Sequence, residues 1–122
     1  MYSIVVETHF SATHRIRLHD GCKEPKHGHD WRVRVTFAKP SLDELGMVID
    51  FGEAKRVVTQ VVQQLDYCDL NEVAVLRGKN PTAEVVAEWI FHRIVESGAN
   101  SIVQVEVKEA PGCLAIFSSG ST

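Results

Sequence analysis

Two stretches of the chain alternate apolar and polar residues with a period of two, the pattern of half-buried strands. In HDWRVRVTFAK, His29 to Lys39, one face carries Trp31, Val33, Val35 and Phe37 and the other Arg32, Arg34 and Thr36. In Ile102 to Glu109, Val103, Val105 and Val107 share a face. Tyr2 to Phe10 (YSIVVETHF) is β-branched and aromatic and reads as a further strand. Cys113 to Ser118 reads as the last strand, after a Pro111-Gly112 turn. Ser11 to Lys26, with Gly21 and Pro25, reads as a loop; Pro40 to Gly46 is a turn, and Met47 to Ile49 starts a short extension.

Midway along the chain the period becomes helical. Val57, Val58, Val61, Val62 and Leu65 form an apolar stripe, and Asp50 with Glu53 three positions on makes a box-like helix start. Residues 66 to 80 read as a loop. A second helix begins at Asn80-Pro81, a cap followed by proline, and ends at Gly98. Its apolar face is Val86, Ile90 and Ile94, with Val85 and Trp89 alongside. The order β, β, α, α, β, β predicts an α+β fold: an antiparallel four-stranded sheet with two helices on one face. Residues 1–122 form a single domain without repeat or linker.

Composition narrows the function classes. The formal net charge is -3 and no basic tract stands out, which argues against nucleic acid as partner. No apolar run approaches the ~20 residues of a membrane span. The start, MYSIVVETHF, is not a secretory signal. Three cysteines, Cys22, Cys68 and Cys113, are an odd number, and with no signal they imply reduced thiols in a cytoplasm. Cys68 and Cys113 sit among apolar neighbours and read as inert.

The histidines change the picture more. Five of the six, His9, His14, His19, His27 and His29, lie within the first 29 residues. His27 and His29 are two apart at a strand start, so their imidazoles point the same way and can share a metal ion. His14, just after the first strand, is the candidate third ligand if the first two strands pair. Three protein ligands and one open position are the pattern of a catalytic zinc, whereas a structural zinc takes four. The plainer reading is a polar strand start with exposed histidines. Cys22, close to such an ion, would be a thiolate able to abstract a proton; Glu24 reads by default as a solvated loop carboxylate.

In order along the chain come "FSATH", a cysteine shortly before "HGH", then "GMVIDF", "LDYCDLN", "NPTAE" and "VEVKEAPG". Together they resemble the 6-pyruvoyl-tetrahydropterin synthase and 6-carboxy-tetrahydropterin synthase family over Phe10 to about Phe117. The resemblance implies a T-fold (a ββααββ unit assembling into homohexamers), a zinc ion on His14, His27 and His29, and Cys22 as general base with Asp66 in its relay. It also implies substrate binding by Glu109, with Thr82 beside it. One carboxylate can accept both hydrogen bonds of the guanidine-like edge of a pterin. The implied substrate is 7,8-dihydroneopterin triphosphate.

Two positions depart from the family pattern. Tyr67 follows Asp66 where a histidine usually completes the relay, and its pKa near 10 suits it poorly to neutral pH. Glu24-Pro25-Lys26-His27-Gly28-His29 also matches the E-x-x-H-G-H pattern of relatives that cleave dihydroneopterin to 6-hydroxymethyl-dihydropterin on the folate route. Three readings follow. The first is a lyase of the 6-carboxy-tetrahydropterin synthase type, on the route to deazaguanines such as queuosine, with the 6-pyruvoyl reaction as its near variant. The second is side-chain cleavage using Glu24. The third is a zinc- and pterin-binding protein without turnover.

Overall fold

The computed structural model describes residues 1–119. Its strands are β1 (Tyr2–His14), β2 (His27–Lys39), β3 (Cys68–Asp69), β4 (Ile102–Ala110) and β5 (Cys113–Ser118); its helices are α1 (Phe51–Val62) and α2 (Ala83–Glu96). A one-turn 3₁₀ helix covers Ala74–Leu76. The sheet order is β3-β1-β2-β4-β5. The sheet therefore has five strands where the sequence predicts four. The extra strand, two residues long, pairs parallel to β1, and no periodic pattern can announce so short an element.

β1 runs four residues beyond its predicted end at Phe10. Ser11 to His14 carry little hydrophobic signal, yet the antiparallel register with β2 continues through Ala12↔His29 to His14↔His27. Residues opposed in such a ladder share a face. Ile4 with Phe37, Val6 with Val35 and Phe10 with Trp31 thus form one apolar face, extended by Val105 and Val107 of β4. Both helices close over that face: Val57, Val58, Val61 and Val62 of α1 and Val86, Ile90 and Ile94 of α2 are buried in the same core. The opposite face is polar, with Glu7, Arg34 and Glu106 side by side in the ladder. Among the described residues no helix is long and apolar enough to cross a membrane.

Asp50 caps α1 as expected, its side chain accepting from Glu53 N–H at 3.0 Å. Asp50→Ala leaves that amide without a partner, so its expected cost is about 1 kcal/mol, measured as a lowered denaturant midpoint at unchanged slope. α2 is different. Its cap is Thr82, not Asn80, and the Thr82 hydroxyl accepts from Val85 N–H at 3.2 Å. Asn80 is engaged elsewhere, on the backbone of Arg17. Met47 to Ile49 form no strand; Val48 alone of the three is buried.

Candidate metal centre

The first strand pair delivers three imidazoles to one end of the apolar face. His14 closes β1 and is fully buried; His27 and His29 open β2 on the same side. Trp31 continues that row inward, edge-on to His14 at 4.8 Å and stacked on Phe10 at 5.5 Å. The indole N–H donates to Ala12 O at 3.3 Å. The site thus rests directly on the core and inherits its rigidity.

Backbone carbonyls set the tautomers. His14 Nδ1 lies 2.7 Å from Pro81 O, and His27 Nδ1 lies 3.0 Å from Pro25 O. A carbonyl only accepts, so each Nδ1 carries the hydrogen and each neutral ring offers Nε2 as a lone pair. Those two Nε2 atoms stand 3.0 Å apart. Two lone pairs that close repel unless a cation, proton or metal, lies among them. His29 Nε2 is buried and makes no hydrogen bond. Glu109, from the end of β4, adds Oε1 at 2.7 Å from His14 Nε2, 3.3 Å from His29 Nε2 and 3.5 Å from His27 Nε2. One ligand atom from each of the four residues lies within 4.8 Å of the others. Ligands about 2.0–2.1 Å from a tetrahedral zinc are roughly 3.3 Å apart, so the donor set fits a divalent first-row ion.

Proton affinities follow these contacts. The Pro25 carbonyl is the largest influence on His27, with Glu109 and Glu24 adding to it; together they raise its pKa despite some burial. His29 is lowered, chiefly by burial. A raised pKa means that the metal-free site holds its proton to a higher pH, and an entering ion must displace it. Metal affinity, read by competition with a chromogenic chelator, should therefore be level under mildly alkaline conditions and weaken as pH falls into the range where imidazoles take up protons. Affinity that stays constant down to about pH 5 would mean that imidazoles are not the ligands.

The other candidate residues divide. Glu24 is brought to the centre: its Oε1 lies 3.5 Å from His27 Nε2, with the side chain 25% exposed. Cys22 is not. It is exposed, one residue past the turn at Gly21 (φ 84), two positions further out along the same arm. Asp66 points to β1, where its Oδ1 accepts from Ser11 N–H at 2.9 Å. Tyr67 is 88% exposed, with a left-handed φ of 57, and its N–H donates to Ser11 O at 2.6 Å. Thr82 sits beside the Pro81 carbonyl that holds His14. Cys68 is half-buried, and Cys113 is exposed rather than packed among apolar neighbours. The Pro25 and Pro81 carbonyls that orient the ligands had no sequence signal, since any residue offers a carbonyl.

An α+β domain with three convergent histidines and a carboxylate on one sheet end defines a class: single-sheet domains with a candidate metal-binding His/Glu group. The comparisons then give the family. The model of the 6-pyruvoyl tetrahydropterin synthase family matches residues 3–119. A 6-carboxy-5,6,7,8-tetrahydropterin synthase of Synechocystis is 37% identical over 89% of this chain and 87% of its own. A dihydroneopterin monophosphate aldolase of Pyrococcus furiosus is 34% identical over 75% of this chain and 73% of its own. The solved 6-pyruvoyl tetrahydropterin synthase of Caenorhabditis elegans superposes with a TM-score of 0.84, at 20% identity, over 98% of this chain and 96% of its own. The chain belongs to the 6-pyruvoyl tetrahydropterin synthase family and is a pterin lyase.

Proposed function

We propose that this lyase is zinc-dependent and acts on 7,8-dihydroneopterin triphosphate in the manner of the 6-carboxy-tetrahydropterin synthases, with Glu24 as base. One observation carries the reading: His27 Nε2 stands 3.0 Å from His14 Nε2 and 3.5 Å from Glu24 Oε1, so the candidate ligands and a carboxylate meet at one point. A zinc ion held by His14, His27 and His29 supplies Lewis acidity toward the hydroxyls of the pterin side chain. Glu24, its Oε1 accepting from Ile16 N–H at 3.3 Å, takes a proton from that side chain. Glu109 accepts the paired N–H groups of the pterin ring. The Thr82 hydroxyl, an acceptor toward Val85, keeps its own hydrogen for a substrate oxygen. Asp66 ties the end of α1 to β1 and in this reading supports the site rather than relaying protons.

The name of the Synechocystis relative supports the 6-carboxy product. A second reading, cleavage to 6-hydroxymethyl-dihydropterin, is favoured by the exposure of Cys22 and by Tyr67 at the relay position, and the name of the Pyrococcus relative agrees with it. The chain works as a homohexamer in the cytoplasm. β5 leaves one sheet edge unpaired, with Leu114 and Ile116 exposed on it, and the three thiols are free.

The test is product identification by mass, with zinc-loaded protein and 7,8-dihydroneopterin triphosphate or dihydroneopterin as substrate. A 6-carboxy pterin supports the first reading and a 6-hydroxymethyl pterin the second. Pterin bound but unchanged would sink both and leave a binding protein.

A further inference from the structure

β1 continues to find hydrogen-bonding partners after His14. Asn71 accepts from Arg15 N–H at 2.8 Å and donates to Arg15 O at 2.8 Å. Asn80 accepts from Arg17 N–H at 2.7 Å and donates to Arg17 O at 3.1 Å. A primary amide places an acceptor beside a donor, so each asparagine stands in for one residue of a neighbouring strand. Both are rooted in the body of the domain. Asn71 follows β3, with its own N–H held by Asp69 at 3.0 Å, and Asn80 precedes the cap of α2.

In an extended chain the N–H and C=O of successive residues point to opposite sides. With residues 15 and 17 held on one side, the N–H and C=O of Ile16 face the other, where they meet Glu24. Ile16 N–H donates to Glu24 Oε1 at 3.3 Å, and Glu24 N–H donates to Ile16 O at 3.1 Å. The rest of this excursion is thinly held, by a turn around Gly21 and one bridge between Arg17 and Lys23. We infer that Asn71 and Asn80 are positioning residues for Glu24: they set the strand whose Ile16 peptide group fixes the carboxylate beside His27. This inference rests on the reading of Glu24 as base.

A mutant cycle with zinc-loaded protein and 7,8-dihydroneopterin triphosphate tests it. Asn71→Ala and Asn80→Ala should each lower kcat about tenfold, with KM and metal content within about twofold of the parent. In a Glu24→Gln background the same changes should cost less than about twofold, because residues acting through one group are not additive. Amide exchange gives a readout independent of turnover: exchange at Ile16 and Glu24 should accelerate at least about tenfold in Asn80→Ala. Equal losses in both backgrounds would make the asparagines general structural residues and overturn the inference. A Glu24→Gln protein with undiminished kcat would overturn the base assignment itself. Loss in Glu24→Gln with none in either asparagine variant would overturn the positioning role alone. Asn71 adjoins the His14 segment, so if Asn71→Ala loses metal, Asn80→Ala and Asn71→Asp, which keeps the acceptor for Arg15 N–H, carry the test.

Discussion

Glu24→Gln should lower kcat about a thousandfold, within the range lost with a general base, while Cys22→Ala should stay within about threefold of the parent. The expectation follows from place rather than residue type. A thiolate is the better base on paper, and Cys22 lies only two residues from Glu24. Two residues of extended chain are nonetheless about 6.5 Å, and Glu24 already stands 3.5 Å from His27 Nε2. Cys22 is exposed, with its N–H turned back on Asp20. Glutamine keeps the acceptor for Ile16 N–H and removes the proton-accepting charge, so the strand stays in place and only the chemistry is lost. Steady-state rates for both variants, at equal metal content, decide the matter. The opposite pattern, Cys22→Ala inactive and Glu24→Gln active, would return the base to the thiol.

His14→Ala should abolish metal binding and turnover together. Of the four candidate ligands His14 alone is fully buried, and it contacts Pro81, His27 and Glu109 at 3.0 Å or less. Removing it takes away a donor and leaves the Pro81 carbonyl without its hydrogen. Metal content by elemental analysis should fall from one ion per chain to a trace. His29→Ala should be milder, since its Nε2 makes no hydrogen bond and no carbonyl contact comparable to that of His14 holds it among the described residues. A fully metallated His14→Ala protein would show that the ion sits elsewhere.

Much of this was legible beforehand, for identifiable reasons. The β2 face from Trp31 to Phe37 and the Asp50 cap were read from period and cap chemistry, and the structure has both. His27 and His29 follow from strand alternation alone. His14 needed the pairing of β1 with β2, a tertiary fact the sequence only suggests. β1 beyond Phe10 leaves no periodic apolar signal, because serine, threonine and histidine follow, although the ladder continues through them. Asn80 reads as a cap because it precedes a proline; its amide instead serves a segment 63 positions away. Glu24 and Cys22 could not be separated by spacing, because the turn at Gly21 decides which one faces the histidines.

Both carbonyls that orient the ligand rings belong to prolines, Pro25 and Pro81. A pyrrolidine ring fixes φ, so these oxygens swing less than ordinary loop carbonyls. Of the two rings they hold, His14 lies edge-on to Trp31 of the core, and that core, drawn from both helices and the sheet, is large enough to hold the fold by itself. Loading and folding are therefore expected to be separate equilibria, unlike those of the small zinc domains that exist only when metallated. Chelation should leave a folded domain that takes up a fresh ion without refolding.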